Sequence, residues 1–330
     1  MTNGDLELLR GGWLPGQVRW DDPAVGEATV DWLHCEDRRF TEPFLENTFQ
    51  KAMRRPFNVL FRHRTPLESL ERWAEASPGI APTGFIFHVS RCGSTLLAGL
   101  LGALPGTLVL SEPAPVDNLV CANEKQARLE EPRQIALLRA MVSALGQRRE
   151  PGQDRLFVKF DAWHTLHFPL IRAAFPDVPW VFLYRDPVEV LVSALRQRGL
   201  HTVPGYLDAA RLGLDQGEIF AMPPEEYGAR VLSAIYQAGL EAHVPGRSLL
   251  VNYTQLPEAA WTTVAAHFGL EPDPGQIALL RDRAQWNAKS GMSFEPDSEQ
   301  KQETASDAQR EMATRFVQSV YSELEAARGG

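Results

Sequence analysis

Cysteine is scarce in this 330-residue chain, with Cys35, Cys92 and Cys121 as its only three. An odd, sparse set forms neither a disulfide framework nor a metal-ligand pattern, and it is typical of a reducing compartment. Residues 1–10 carry acids and no apolar run, so no signal peptide is predicted. The most apolar stretch, residues 96–110, is short and interrupted by glycine and proline, which argues against a membrane span. These absences predict a soluble, cytoplasmic protein.

Positive charge is also in the minority, with 33 Lys and Arg against 42 Asp and Glu and a formal net charge of −9. An acidic surface repels nucleic acid and acidic membranes, so neither is predicted as a partner, and any polyanion-binding role requires a local basic patch. Hydrophobic residues make up 44 % of the chain, which supports a sizeable core and argues against global disorder.

Short apolar runs rich in β-forming residues alternate with helical patterns over most of the chain. The predicted strands are residues 85–89, 107–110, 156–160, 180–184 and 248–252, and the predicted helices are residues 40–53, 94–104, 133–145, 166–174, 188–198, 225–242, 259–268 and 307–326. Alternation at these lengths predicts an α/β protein with three layers, in which helices cover both faces of a mainly parallel central sheet.

Two regions stand outside this alternation. The first 80 residues are rich in Trp and Pro and end in Ser77-Pro78-Gly79, a break signal. We therefore predict an N-terminal extension at residues 1–80, packed on a main domain at residues 81–330. Near the other end, residues 295–311 are polar and acidic, which predicts a solvated surface.

The segment Ser90-Arg91-Cys92-Gly93-Ser94-Thr95 stands between a predicted strand and a predicted helix. The first amides of a helix lack internal partners and its dipole adds positive potential, so an anion such as phosphate fits this position. Gly93 lets the backbone approach a ligand closely, Ser94 and Thr95 offer hydroxyl donors, and Arg91 adds a fixed charge. Taken alone, the segment is explained equally well as a plain strand-to-helix turn.

The lysine of a nucleoside-triphosphatase loop is missing from this segment. That motif requires Gly-x-x-x-x-Gly-Lys-Ser/Thr. With Gly93 as the second glycine, His88 occupies the position of the first glycine and Ser94 that of the lysine. The segment therefore predicts an anion site of another kind.

A second anion signal follows the predicted strand at residues 180–184. Asp186 is a natural N-cap and Pro187 suits the first helical position, so Arg185 falls at the C-terminal end of the strand. Ser193 lies two turns into the helix, where its hydroxyl can approach an anion held by Arg185.

The two motifs together resemble those of the sulfotransferase superfamily, whose members use 3′-phosphoadenosine 5′-phosphosulfate. The run Arg91 to Leu97 resembles the 5′-phosphosulfate loop, with Arg in place of the lysine of cytosolic members and Cys92 in place of the usual serine. Arg185-Asp186-Pro187 with Ser193 resembles the 3′-phosphate motif, including the eight-residue spacing. The resemblance covers residues 84–325 and implies a fold like that of the P-loop-containing nucleoside triphosphate hydrolases. It also implies a set of donor-binding residues: Arg91, Cys92, Gly93, Ser94, Thr95, Arg185 and Ser193.

Two later segments are weaker landmarks of the same family. Residues 251–256, Val-Asn-Tyr-Thr-Gln-Leu, are similar to the family's strand that ends in Tyr-Glu-Asp-Leu, without its Glu-Asp pair. Ala288-Lys289-Ser290 resembles the late basic loop that closes over the 3′-phosphate. The Gly-x-x-Gly-x-Trp-Lys form of cytosolic members is absent, so Lys289 is a lesser candidate.

Four side chains follow the predicted strands at their C-terminal ends: Arg91, Glu112, Asp161 and Arg185. Because ligands of a parallel sheet bind beyond these ends, we expect the four to line one edge of the sheet. Sulfuryl transfer to a hydroxyl requires an acceptor in line, a base for its proton, and positive charge for the leaving phosphate. Arg91 and the loop amides suit the leaving phosphate, and Lys159 suits the bridging oxygen.

Glu112 and Asp161 compete as the base. Glu112 resembles the catalytic glutamate that several sulfotransferase branches carry after the second strand. Lys159-Phe160-Asp161 matches the Lys-x-His position, where cytosolic members carry a histidine base. We favour Glu112 and keep Asp161 as the alternative. The structural interpretations are a cap before Pro113 for Glu112 and an ion pair with either acid for Lys159.

The sequence thus predicts a sulfotransferase that moves a sulfuryl group to a hydroxyl or amine of a small-molecule acceptor and releases adenosine 3′,5′-bisphosphate. No metal is expected, because His164 and His167 have no third ligand at a suitable spacing. Residues 200–224 are a predicted substrate lid, and a homodimer is compatible with the sequence. The alternatives are a phosphoryl-transfer enzyme on a related fold and a catalytically silent nucleotide-binding module.

Overall fold

The computed structural model describes residues 12–20, 28–36, 38–124, 127–285 and 297–329. Their strands are β1 (Trp13–Arg19), β2 (Thr29–His34), β3 (His63–Pro66), β4 (Pro82–His88), β5 (Thr107–Ser111), β6 (Arg155–Lys159), β7 (Trp180–Tyr184) and β8 (Ser248–Asn252). Their α-helices are α1 (Leu45–Met53), α2 (Pro56–Leu60), α3 (Glu68–Ala76), α4 (Ser94–Ala103), α5 (Ala114–Val120), α6 (Glu131–Leu145), α7 (Phe168–Ala174), α8 (Pro187–Arg196), α9 (Pro224–Ala242), α10 (Thr263–His267), α11 (Pro274–Ala284), α12 (Ser298–Thr304), α13 (Asp307–Phe316) and α14 (Gln318–Gly329).

Five strands form one sheet in the order β5-β6-β4-β7-β8, and the pairs β5/β6, β4/β7 and β7/β8 are parallel. All five residues of β7 are buried. A strand that is buried on both faces carries a continuous apolar run rather than an alternating one. Residues 180–184, Trp-Val-Phe-Leu-Tyr, are such a run. The predicted α/β class with a mainly parallel central sheet flanked by helices is confirmed.

The chain divides into two compact units. Unit 1 comprises the described residues up to 84 together with residues 104–159 and 169–178. Unit 2 comprises residues 85–103, residues 160–168 and the described residues from 179 onward. The predicted division at residue 80 stays a prediction.

Unit 1 contains a second sheet, antiparallel, in the order β1-β2-β3. Its register shifts between Pro15 and Gln17, and β1 packs against α5 and α6. The buried indole of Trp32 donates to the hydroxyl of Thr65 at 2.9 Å and meets Trp73 edge-on at 6.2 Å between ring centroids. Of the elements in the first 80 residues only α1 was predicted, as part of a helix at residues 40–53, because Pro and Gly interrupt the apolar alternation of β1.

Unit 2 is built on β4, β7 and β8. Helix α9 packs against α8 and α13, and α14 packs against α9 and β8. One contact explains a glycine in the middle of α9: a Cβ at Gly239 would lie 2.3 Å from the ring of Phe182 in β7. The helix therefore approaches the sheet closely only because residue 239 has no side chain.

The acidic segment at residues 295–311 is not a plain solvated surface. It contains α12 and the start of α13, and the side chain of Lys301 is 4 % exposed. The ammonium of Lys301 bonds to the carboxylate of Asp297 at 2.8 Å, so a charged residue is accommodated inside the unit. A polar composition does not by itself show that a lysine of the segment is buried. The single helix predicted at residues 307–326 is two helices, α13 and α14, on either side of Val317.

Within the described residues, no helix combines the length and the apolar character that crossing a bilayer requires.

Helix α14 is fastened to the sheet by the carboxylate of Glu325. It accepts hydrogen bonds from the hydroxyl of Tyr184 at 2.5 Å, from the amide of Asn252 at 2.9 Å and from the guanidinium of Arg328 at 2.8 Å. Burial opposes ionisation of Glu325, but these donors outweigh it and lower the pKa of the carboxyl to about 2.

We expect Glu325→Gln to be less stable than the parent at neutral pH, with a difference that shrinks on acidification. The folded pKa lies below the ordinary value of about 4.3, so the stabilisation is complete above that value and is lost as the pH falls toward 2. Urea unfolding between neutral and acidic pH measures it. Glu323→Gln, on the exposed side of α14, is the control; a difference from the parent that stays constant with pH would contradict the assignment.

Candidate functional site

The loop between β4 and α4 adopts an unusual backbone conformation. Ser90, Arg91 and Gly93 all have positive φ, at 69°, 52° and 84°. Left-handed residues in close succession turn their amides toward one side and form a concave anion-binding surface. Helix α4 follows at once, and its first internal bond runs from the amide of Leu97 to the carbonyl of Gly93 at 3.1 Å. The amides of Ser94, Thr95 and Leu96 therefore have no partner within the helix and are its N-terminal donors.

Two buried side chains hold this loop in place. The Nδ1 atom of His88 accepts from the amide of Ser90 at 2.9 Å, and its Nε2 atom lies 3.0 Å from the carbonyl of Phe160. The thiol of Cys92 is fully buried and donates to the carbonyl of Leu183 at 3.3 Å. His88, at the position of the first P-loop glycine, thus shapes the loop, and Cys92 packs inward rather than toward a ligand.

Gly93 is required by its surroundings as well as by its φ. A Cβ at this position would lie 2.7 Å from Leu256 and 3.0 Å from the ring of Tyr253. The backbone therefore forms a cradle that a side chain would fill. Ser94 and Thr95 are buried at the start of α4. These features fit the 5′ end of an anionic donor.

Arg185 follows β7 and is almost fully buried, with 4 % exposure. Its guanidinium donates to Glu189 at 2.5 Å, to Asp297 at 2.7 Å and to Ser298 at 3.0 Å. A further donor lies 3.5 Å from the carbonyl of Arg91 in the loop. The cation is thus held beside the loop by partners from α8 and from the start of α12.

Charges in this cluster balance one another. Burial disfavours the charge of Arg185, but its bond to Asp297 and the nearby carboxylate of Glu189 outweigh that cost and raise the pKa of the guanidinium. Burial likewise works against Asp297, yet bonds from Lys301 and Arg185 lower its pKa. For Lys301 the effect of burial is larger than that of its bond to Asp297, so the pKa of its ammonium is lowered. Two cations and two carboxylates therefore share one network, which is buried except at Asp297, whose side chain is 37 % exposed.

Tyr253 joins the loop to Arg185. The guanidinium carbon of Arg185 lies 3.9 Å above the centroid of the Tyr253 ring, a cation–π contact. The same ring lies against Gly93, where an added Cβ would be 3.0 Å from it. Residues 251–256 entered the sequence analysis as a landmark only, and their contribution to the site is this ring.

The remaining candidates of unit 2 are placed as follows. The guanidinium of Arg91 donates to the carbonyl of Gln197 at 3.1 Å and to its side-chain oxygen at 2.6 Å, just beyond α8. Ser193 is buried in α8, and among the described residues no hydrogen bond joins it to Arg185. Lys289 lies outside the described residues.

Sequence reasoning missed several members of this cluster. Glu189 carries a readable signal, because it stands four residues after Arg185 where a helical ion pair forms. Asp297 and Ser298 carry none, since more than a hundred residues separate them from Arg185.

Glu112 and Lys159 meet in unit 1. The ammonium of Lys159 is fully buried, forms an ion pair with the carboxylate of Glu112 and lies 5.1 Å from the centroid of the Phe44 ring. Glu112 has φ 48° and precedes Pro113, a combination that steric contacts disfavour. Its amide donates to the carbonyl of Lys159 at 2.7 Å. A strained residue with a partly exposed carboxylate is a frequent feature of functional sites.

Asp161, in unit 2, has a structural partner. It is the N-cap of a short 3-10 helix, Ala162–His167, in which its side chain accepts from the amide of His164 and its own amide donates to Nδ1 of His164 at 3.3 Å. Its side chain is 11 % exposed. Asp161 therefore has a structural role as a cap, and its role as the alternative base stays a prediction.

A family comparison now identifies the protein class. Residues 82–274, more than half of the chain, match the model of the Sulfotransferase family. The chain therefore belongs to the sulfotransferase family and is a sulfotransferase enzyme. Every site residue predicted from the sequence, except Lys289, lies within the matched range.

The solved structures that this chain resembles are distant in sequence. The sulfotransferase domain of the Synechococcus PCC 7002 olefin synthase is 14 % identical, with a TM-score of 0.43 over 72 % of this chain and 95 % of that one. The sulfotransferase from Alicyclobacillus acidocaldarius is 16 % identical, with a TM-score of 0.43 over 76 % and 96 %. Mouse sulfotransferase SULT7A1, complexed with PAP, is 13 % identical, with a TM-score of 0.39 over 78 % and 88 %. No curated protein sequence matches.

We expect Gly93→Ala to destabilise the protein more than Gly246→Ala. Both glycines are left-handed, at 84° and 80°, but only Gly93 has neighbours that a Cβ would strike. Gly246→Ala should cost about 1 kcal/mol from its backbone conformation, and Gly93→Ala a further ~1–3 kcal/mol from overpacking. Chemical unfolding measures both; equal losses would mean that Leu256 and Tyr253 yield freely.

Proposed function

We propose that this enzyme transfers the sulfuryl group of 3′-phosphoadenosine 5′-phosphosulfate to a hydroxyl or amine of a small-molecule acceptor. In this reaction the acceptor atom bonds to sulfur, and the bond between sulfur and the 5′-phosphate oxygen breaks. The acceptor proton passes to a carboxylate, and adenosine 3′,5′-bisphosphate leaves.

One observation carries the choice of donor: two anion-binding groups are joined through a single ring. Tyr253 contacts Gly93 of the loop and also the guanidinium of Arg185. A lone sulfate or phosphate needs only one of these groups. A nucleotide with anionic groups at both its 5′ and 3′ positions needs the two together, which supports the bisphosphorylated donor.

The acidic partners of Arg185 fit this assignment. The guanidinium already donates to the carboxylate of Asp297 and to the hydroxyl of Ser298, so this position accepts an anion. A 3′-phosphate would take these donors over, with the buried ammonium of Lys301 in the same network. At the 5′ end, the loop amides and Arg91 would stabilise charge that develops on the leaving phosphate.

Glu112 is the proposed base. Its carboxylate is 24 % exposed and is oriented by the buried ammonium of Lys159. Asp161, by contrast, is occupied by the cap of the 3-10 helix. Proton transfer to a positioned carboxylate contributes roughly 10²–10⁴-fold to such reactions.

The acceptor is proposed to carry an apolar portion. In the predicted lid, residues 200–224, four large apolar side chains are exposed: Leu200, Val203, Tyr206 and Phe220. The ring of Tyr206 meets Trp163 edge-on at 5.5 Å, just after Asp161 in the chain. A segment with this composition suits a hydroxylated small molecule better than a charged polymer.

We expect adenosine 3′,5′-bisphosphate, and not ATP with Mg²⁺, to raise the thermal midpoint of the protein. A ligand that binds only the folded state stabilises by about 2.7 kcal/mol at a hundredfold excess over its Kd. Arg185→Ala should lose most of the shift when each protein is compared with its own unliganded midpoint, whereas Arg247→Ala, at an exposed position just before β8, should keep it. A shift with ATP and Mg²⁺ alone would favour a phosphoryl-transfer enzyme.

Glu112→Gln should bind adenosine 3′,5′-bisphosphate as the parent does and lose turnover by about 10²–10⁴-fold. Transfer from radiolabelled donor to a panel of hydroxylated small molecules is the measurement, with Glu311→Gln, at an exposed position of α13, as the control. Full activity of Glu112→Gln together with loss of activity in Asp161→Asn would move the base to Asp161. Nucleotide binding by the parent without transfer to any acceptor would favour a silent module.

A further inference from the structure

Residues 51–64 of unit 1, here called the basic apolar segment, run against the charge of the whole chain. The sequence Lys-Ala-Met-Arg-Arg-Pro-Phe-Asn-Val-Leu-Phe-Arg-His-Arg holds five Lys and Arg and not one Asp or Glu, in a protein with a net charge of −9. It spans the end of α1, the whole of α2 and the first residues of β3. An overall acidic protein thus carries a concentrated basic stretch.

The polarity of α2 is inverted. Its only buried residue is Asn58. The side-chain Nδ2 of Asn58 donates to the carbonyls of His34 at 2.9 Å and Ala52 at 2.8 Å, and its Oδ1 accepts from the backbone amide of His34 at 2.9 Å. The large apolar residues of the segment point outward instead, with exposures of 49 % for Met53, 44 % for Phe57, 52 % for Val59, 74 % for Leu60 and 60 % for Phe61. Folding alone favours the opposite arrangement, so a contiguous exposed apolar surface indicates a binding role.

Cations surround this apolar surface. Arg54 and Arg62, on either side of α2, are exposed. Three other cations have carboxylate neighbours, but two of these carboxylates are shared. Asp31 bonds to both Arg19 and Arg64, and Glu36 to both Arg38 and Arg55. A positive excess therefore remains around the exposed apolar side chains.

We propose that the basic apolar segment docks the protein on the surface of an anionic lipid bilayer. Apolar side chains that enter the boundary between headgroups and acyl chains, flanked by arginines at the level of the phosphates, are the features of an interfacial membrane-binding element. The element lies on the bilayer and does not cross it.

Charge decides between a bilayer and a second copy of this chain. In a two-fold symmetric dimer the same patch faces itself, so Arg54 and Arg62 would meet like charges. An anionic bilayer offers complementary charge and an apolar interior at the same place. The overall acidity of the chain is compatible with this docking, because electrostatic attraction to a membrane acts within about 10 Å in ordinary salt and so responds to the local patch.

Trp13 lies at the edge of the same surface. Its ring is 5.9 Å from that of Phe57 and 5.7 Å from that of His63, measured between centroids. Aromatic rings with a polar atom favour the membrane–water boundary. Trp13 therefore continues the docking surface onto β1.

Vesicle co-sedimentation of the full chain tests the proposal. The parent should sediment with vesicles of phosphatidylglycerol and phosphatidylcholine, only weakly with pure phosphatidylcholine, and less in high salt. Arg54→Glu with Arg62→Glu should weaken binding by about tenfold or more, and Val59→Ser with Leu60→Ser by about tenfold. Both pairs are exposed, so thermal midpoints should stay near that of the parent.

Matched controls come from exposed residues elsewhere in the chain. Arg247→Glu with Arg283→Glu makes the same change of charge, and Val244→Ser with Leu279→Ser the same loss of apolar surface. Neither control should alter sedimentation. The test does not depend on sulfuryl transfer, so it stands or fails separately from the proposed function.

Several outcomes would overturn the proposal. These are no sedimentation of the parent with anionic vesicles, or equal loss in the variants and their controls. Binding to soluble polyglutamate but not to vesicles, abolished by Arg54→Glu with Arg62→Glu, would assign the segment to an acidic protein. Self-association of the parent that Val59→Ser with Leu60→Ser removes would assign it to a second copy of the chain.

Discussion

The burial of the Arg185 guanidinium is the constraint on which unit 2 depends. A buried cation is tolerated only when charged and polar partners surround it, and here they come from several parts of the chain. Glu189 of α8, Asp297 and Ser298 at the start of α12, and the ring of Tyr253 after β8 all converge on it. One side chain therefore fixes the end of β7 relative to helix α8, to the start of α12 and to the turn that follows β8.

The same constraint prepares the site for its ligand. The guanidinium is neutralised by carboxylates, so the folded enzyme carries no isolated buried charge while no anion is bound. Under the proposed function, a 3′-phosphate would exchange one anion for another at Arg185 instead of having to bring two charges together from water. The adjacent loop is organised on a different principle, with left-handed backbone at Ser90, Arg91 and Gly93 that presents amide dipoles. A full charge and a set of dipoles thus serve the two ends of one proposed donor.

One segment of unit 1 has the reverse of the usual burial pattern. Asn58 is buried and the apolar residues around it are exposed, although hydrophobic burial favours the reverse. Elsewhere in the unit the usual rule holds, as in the packing of Trp32 against Trp73. An exception confined to a single basic segment is better explained by a surface for binding than by a defect of the core.

Much of the central fold was predictable because parallel strands are buried on both faces and appear in sequence as short apolar runs. The strands at residues 180–184 and 248–252 were predicted with their observed ends. The antiparallel sheet of unit 1 was not, since Pro15 and the register shift beside it break the alternation that marks such strands. Helix α12 was missed because its sequence is polar, and the burial of Lys301 depends on tertiary packing and not on composition.

The sequence by itself determined the chemical class. The loop at residues 90–95, the Arg185 motif and the absence of a P-loop lysine are local patterns, and the class followed from the resemblance of the two motifs to those of the sulfotransferase superfamily. Only the tertiary structure decided how these residues are used. It packed Cys92 inward, gave Asp161 a capping role and set Lys159 on Glu112. It also brought Asp297 to Arg185 across more than a hundred residues. Such pairings depend on which groups share a buried environment, and burial is a property of the folded chain that no local stretch of sequence contains.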